Sequence, residues 1–273
     1  MNRILFSWMA ILVGFAGIAQ PNSNKNESAV LKLGIVDKIQ SSTLGEKRTL
    51  NIYLPDGYRE NPSAEYPVIY LLDGSENEDL LHIVGLVQFL SMIEKMPQSI
   101  VVGIANVDRK RDFTFPTNNA KDKKDFPTTG SSEKFIDFIE KELQPHIQRN
   151  YRTGGSKTIV GQSLGALLAT EILLKKPQLF DQYLIVSPSL WWDDESLLAS
   201  IPNLAAKQPK AKVYIAVGTE GKVMETDAKA LADKLLALNL PDLKITFGPM
   251  PEESHLTILH NAAYKGLQNL NIK

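Results

Sequence analysis

Cysteine is absent from all 273 residues. That excludes a disulfide scaffold, a thiolate nucleophile, an iron–sulfur cluster, a Cys-ligated zinc and a lipid-modified N-terminal cysteine. An excess of one charge is absent too. The 30 Lys and Arg face 31 Asp and Glu, so the chain has no general attraction for DNA or RNA and a nucleic-acid partner is not expected. Histidine is scarce, at four. None belongs to an H-E-x-x-H, and His255 and His260 lie five apart, off the i, i+4 spacing that puts two ligands on one helix face. Neither a metal nor any other cofactor is called for. Collagen-like, coiled-coil and disordered classes fail on composition, and 43% apolar residues suffice for a sizeable core.

Residues 4–19 form an uncharged, mostly apolar run of 16, short of the roughly 20 residues that span a bilayer. Arg3 precedes it, and Gly17-Ile18-Ala19 sets small residues before Gln20. This reads as a secretory signal peptide at 1–19, predicting a periplasmic or secreted protein with no stable membrane insertion. Its removal leaves 29 basic against 31 acidic residues. Residues 20–30 are polar and read as a disordered start, and 31–273 as one domain.

Strand-length apolar runs alternate with helix-length periodic segments, which predicts a mostly parallel sheet with helices on both faces. Strands are expected at 32–40, 48–54, 67–72, 99–105, 157–161, 183–187, 213–218 and 243–247. Helices are expected at 79–96, from 131 onward, and at 164–176, 225–239 and 256–270. The connection 107–130 has no period and carries Arg109, Lys110, Arg111, Lys121, Lys123 and Lys124. It reads either as a functional loop or as a solvated insertion.

Gly161-Gln162-Ser163-Leu164-Gly165 is a G-x-S-x-G sequence. Alone the pattern is weak, but an apolar strand precedes it and a helix follows, the setting of a nucleophile elbow. Gly161 and Gly165 remove bulk from the turn, and Ser163 is held at a helix N-terminus, where free N–H groups favour developing negative charge. The plain alternative is a serine N-cap between two packing glycines.

A serine nucleophile needs a base, most often His. His82 and His146 precede Ser163 and fall outside the chain order Ser, acid, His. His255, in the loop after the last strand, is the candidate, and His260 reads as a packing residue. Glu220, after the strand at 213–218, is the candidate acid that would orient the imidazole. Glu225 and Asp227 compete with it, although both also suit a first helical turn. The backbone N–H groups of Leu164 and of Ser75, in the turn Leu72-Asp73-Gly74-Ser75, are the candidate oxyanion donors. Trp191 and Trp192 would either wall a pocket or cap the core.

These residues resemble the esterase D-like (Putative esterase) family of α/β-hydrolases, and within it the bacterial siderophore-type esterases. The likeness runs through Leu54-Pro-Asp-Gly-Tyr58, Tyr66-Pro-Val-Ile-Tyr-Leu-Leu-Asp-Gly74, Val102-Gly-Ile-Ala-Asn106, Arg109-Lys-Arg-Asp-Phe-Thr114, Gly161–Gly165, Ser187-Pro-Ser-Leu-Trp-Trp192 and Glu253-Ser-His255. It implies an α/β-hydrolase fold and a serine carboxylic-ester hydrolase acting on a small-molecule ester. It also implies that Arg109 and Arg111 lie near the substrate entrance; with Asp73, Trp191 and Trp192 they are the candidate substrate contacts. Gln162 stands where many relatives carry His, and Ala166 where a second Gly is common. Two other readings stay open: an acyltransferase sharing the acyl-enzyme, and a non-catalytic binding module on the same fold.

Overall fold

The computed structural model describes residues 32–272; the expected signal peptide at 1–19 and the polar start at 20–30 lie outside them. An antiparallel pair, β1 (Ile35–Gln40) and β2 (Lys47–Tyr53), forms one edge of an eight-stranded sheet. The other strands are β3 (Tyr66–Leu71), β4 (Ile100–Ile104), β5 (Thr153–Gln162), β6 (Gln182–Val186), β7 (Ala211–Gly218) and β8 (Leu243–Met250), all mutually parallel. The order is β1-β2-β4-β3-β5-β6-β7-β8. This is the mostly parallel sheet that the alternating apolar runs predict, and the α/β-hydrolase type that the family resemblance implies.

The buried strands feed two cores by strict alternation, as a period of two requires. Val68 and Tyr70, Tyr183 and Ile185, and Val213 and Ile215 face one core. Ile69 and Leu71, Leu184 and Val186, and Tyr214 and Ala216 face the other. Helices α1 (Leu80–Met92) and, at the end of the chain, Ile258–Leu270 cover the second face. The helices that follow β4 and β5 cover the first. Among the described residues no helix is long and apolar enough to cross a membrane.

The connection at 107–130 is more ordered than its missing period suggests. It contains α2 (Arg109–Phe113) and α3 (Ala120–Asp125), each capped at its start. Asp108 accepts from the Arg111 N–H at 3.0 Å and Asn119 from the Lys121 N–H at 2.8 Å. Helices of five or six residues are too short to print a period, but their Asx caps are legible. The helix expected from residue 131 is α4 (Ser132–Phe138), a π-helical stretch at Ile139–Leu143, then α5 (Gln144–Asn150). Pro145 lacks the N–H that an α-helix would direct at the preceding turn, and the local widening absorbs that loss.

α2 is fastened by a buried ion cluster. Arg48 on β2 and Asp112 on α2 are both 1% exposed and sit 2.5 Å apart, and Glu46 lies 2.7 Å from the same guanidinium. The Arg48 guanidinium also lies 5.1 Å from the Phe135 ring centre, so its planar face is covered while one terminal nitrogen meets both carboxylates. Breaking such a pair leaves a charge without its partner in the interior. Asp112→Ala is expected to cost about 3–5 kcal/mol in urea unfolding, whereas loss of the exposed Lys229–Asp233 pair should leave the midpoint unchanged.

Candidate active site

Parallel strands put their carboxyl ends on one edge, and the loops that leave them meet there. Three consecutive neighbours, β3, β5 and β6, exit through left-handed backbone at Asp73 (φ 54°), Ser163 (φ 59°) and Ser187 (φ 48°). Non-glycine residues adopt this conformation only where their surroundings enforce it.

Ser163 joins β5 to α6 (Leu164–Lys175) with φ 59° and ψ −120°. Its N–H is spent on Val186 O at 3.0 Å, so the reversal is bonded to the neighbouring strand. A Cβ at position 161 would lie 2.6 Å from the Gly165 carbonyl oxygen, so strand and helix meet only because residue 161 is glycine. At position 165 the nearest atoms are 3.4–3.6 Å away, an ordinary contact. The need for an absent side chain therefore lies mainly at Gly161.

His255 lies between β8 and α9 (Ile258–Leu270), and Glu220 just after β7. His255 Nδ1 and Glu220 Oε2 are 2.5 Å apart, with the imidazole 39% and the carboxylate 1% exposed. Burial alone would push the Glu220 carboxyl up. Hydrogen bonds from His255, from the Ser187 hydroxyl (2.5 Å) and from the Gly218 N–H (2.9 Å) outweigh it and hold the carboxyl below its ordinary value. Gly218 lets the two loops touch, because a Cβ there would sit 2.4 Å from Glu253 O. The Thr219 N–H donates to that same oxygen at 2.7 Å. Ser163 Oγ rests 3.2 Å from Ser189 Oγ and makes no hydrogen bond to His255 Nε2, a contact that often tightens only when substrate binds.

The competing acids lie elsewhere. Glu225 accepts from the N–H groups of Glu220 and Gly221, at 2.9 and 3.0 Å, closing the start of α8 (Lys222–Ala237). Asp227, on the same helix, is 3% exposed, and its Oδ2 has no partner. Burial, with the charge of Glu195, pushes its carboxyl up to about 6. His260 is exposed on α9, stacked 5.7 Å from the His82 ring, rather than packed in the core.

The Leu164 N–H opens α6 and donates to no acceptor among the described residues. The Ser75 N–H points at Glu78 Oε2, 3.3 Å away, a long bond that an incoming oxygen would have to replace. Arg109 grips the buried Asp73 with two donors, at 2.6 and 2.9 Å, and reaches Gln162 O at 3.2 Å. It thus braces the turn after β3 against the residue before Ser163, and Asp73 neutralises its charge. Arg111 is committed to Asp112 at 2.8 Å and Glu46 at 2.6 Å, inside the ion cluster that anchors α2. Trp192 is fully buried and donates to Phe115 O at 2.9 Å, a core role. Trp191 is half-buried against Phe126, with ring centres 5.9 Å apart, and is the tryptophan that can meet a ligand.

The family model described as Putative esterase matches residues 41–240. The chain belongs to that family. It is accordingly a carboxylic ester hydrolase. The ferri-bacillibactin esterase BesA of Bacillus subtilis (strain 168) is 29% identical over 246 residues, covering 80% of this chain and 83% of that one. An IroE-like serine hydrolase from Shewanella oneidensis superposes with a TM-score of 0.79 at 32% identity, over 87% of this chain and 80% of that one. The BES protein from Bacillus cereus gives 0.80 at 28% identity, over 90% and 99%.

Four polar residues of the esterase's site escape sequence reasoning. Ser187 and Ser189 contact Glu220 and Ser163. Asn106 bridges Asp73 at 2.7 Å and Glu78 at 3.0 Å. Gln162 Nε2 reaches His255 O at 2.5 Å, tying the elbow to the histidine loop. Each stands within a segment that carries the family likeness, which was the available signal; small polar side chains in loops do not announce their partners.

The two perturbed acids predict opposite pH behaviour. Glu220 is lowered from 4.5, so it contributes stability above pH 4.5 that is lost as pH falls through its lower native value. Glu220→Gln should melt below the parent at pH 7, with the gap closing toward pH 3. Asp227 is raised from 3.8 to about 6, so its ionisation destabilises the fold as pH climbs through that interval. Asp227→Asn should melt above the parent at pH 8 and level with it at pH 3.5. Thermal melts across this range check both signs.

Proposed function

We propose that the chain is an exported serine esterase in which Ser163 attacks the ester carbonyl, His255 takes its proton and Glu220 orients the imidazole. The observation that carries this reading is the 2.5 Å pairing of His255 with a buried, three-donor carboxylate on the sheet edge where Ser163 stands in its left-handed turn. A carboxylate so held stabilises the imidazolium that forms when the serine loses its proton. The Leu164 N–H, and the Ser75 N–H once Glu78 yields it, would take the oxyanion. His255 then returns the proton to the leaving alkoxide, and water activated by the same imidazole releases the acid.

The substrate we propose is a small ester of the siderophore type. The name of the Bacillus subtilis relative, a ferri-bacillibactin esterase, supports this class. So does the aromatic wall of Trp191 and Phe126, whose second ring has Lys110 Nζ 4.9 Å from its centre. A planar ring with acidic substituents suits such a surface. The signal-peptide reading of residues 1–19 supports export.

Hydrolysis of short-chain p-nitrophenyl esters tests the mechanism. Ser163→Ala and His255→Ala should each lower kcat by roughly 1,000-fold or more, with the melting temperature of Ser163→Ala unchanged. Equal rates in parent and variants would sink the serine mechanism.

A further inference from the structure

Ser187 does not belong to the expected constellation, yet it is the most constrained polar residue near it. It is fully buried at the exit of β6 and holds φ 48°, a conformation that glycine occupies without strain and serine does not. Its N–H is bonded to Ala216 O at 2.8 Å, which fixes the backbone to β7. Its hydroxyl has one partner, Glu220 Oε1, at 2.5 Å. Glu220 Oε1 therefore carries two donors, Ser187 and the Gly218 N–H, and Oε2 is left to His255. The next polar residue of the segment, Ser189, is also buried and turns to Ser163 instead. Pro188 between them has a fixed φ, so the two hydroxyls sit on a stiff backbone.

We infer that Ser187 is a positioning residue for the acid of the triad, its hydroxyl fixing the carboxylate so that the second oxygen faces His255. This rests on the reading of Glu220 and His255 as a catalytic pair. A carboxylate held only by His255 and one N–H can rotate about its last side-chain bond; a second donor on Oε1 removes that freedom. The hydroxyl also draws off part of the negative charge that would otherwise act on the imidazolium. Removing it should both loosen the acid and strengthen the pull on the His255 proton. The titratable groups facing this turn are Glu220 itself, Glu225 behind its backbone and His255 from the β8–α9 loop.

Ser187→Gly separates this role from a structural one, because glycine adopts the φ 48° backbone without strain while removing the side chain and its hydroxyl. The variant should remain folded, with relief of the left-handed backbone offsetting part of the lost hydrogen bond to Glu220. It should lose roughly 10- to 100-fold in kcat on p-nitrophenyl acetate, the scale of one hydrogen bond to a charged group, with KM unchanged within about twofold. The imidazole of His255, followed by NMR titration of the folded esterase, should move to higher pH by about half a unit or more. In a Glu220→Gln background neither effect of Ser187→Gly should remain, since the group being positioned is no longer a carboxylate. An unmoved titration, or the same shift with and without Glu220, overturns the assignment. The titration needs no turnover, so an inactive parent would refute the serine-esterase reading while the titration still decides the role of Ser187.

Discussion

The reversal at Ser163 is the constraint around which this molecule is arranged. A chain that must leave β5 and enter α6 within one residue has to pass through left-handed backbone, and that costs of order 1–3 kcal/mol. The cost is held by what surrounds it: Gly161 lets the helix pack where a Cβ would lie 2.6 Å from Gly165 O, Val186 takes the serine N–H, and Arg109 and Gln162 tie the flanking turns to the same point. The adjacent exits at Asp73 and Ser187 share the left-handed geometry. Strain is thus gathered on one edge of the sheet, and the rest of the strands alternate regularly into two cores that carry the stability.

Charge handling follows the same division. Interior ions are matched by groups of opposite charge or by hydrogen-bond donors that replace the water they lose. Arg48 has Asp112 and Glu46, Asp73 has Arg109 and Asn106, and Glu220 has three donors of its own. Asp227 has no counter-ion among the described residues: its Oδ2 is buried without a partner, and its carboxyl is pushed up to about 6. A helix acid that would be harmless in solvent is here stranded against the core, which is why a first-turn position alone said little about its role.

The strands, the mostly parallel sheet with helices on both faces and the strand–turn–helix around Ser163 were legible, because apolar runs and the G-x-S-x-G turn are local signals; the order of the strands was not, because pairing is set by contacts between distant segments. His255 and Glu220 were legible from chain order, and the structure brings their side chains together. Arg111 and Trp192 were expected at the substrate; one lies in an ion cluster and the other in the core. Nothing local distinguishes an arginine that meets a ligand from one that meets Glu46 and Asp112, 65 positions away and next door. The caps of α2 and α3 were readable at Asp108 and Asn119, but helices of one or two turns leave no period to find.

Substrate choice belongs to the part of the chain that the strands do not dictate. The 107–130 connection lies against the segment after β6 through Asn118 to Asp193, at 2.5 Å, Trp192 to Phe115, and the Phe126–Trp191 contact. One side of that junction supplies Ser187 and Ser189, which touch Glu220 and Ser163. The other supplies Arg109, which braces the turn bearing Ser75. In the proposed mechanism, recognition and chemistry are therefore built on the same two loops. A change in the aromatic wall at Phe126 or Trp191 acts on a segment whose other end contacts Glu220 and Ser163, so the proposed mechanism couples specificity mechanically to rate. The ion cluster at Arg48 and Asp112 gains a second meaning from this, because it anchors the loop on which both depend.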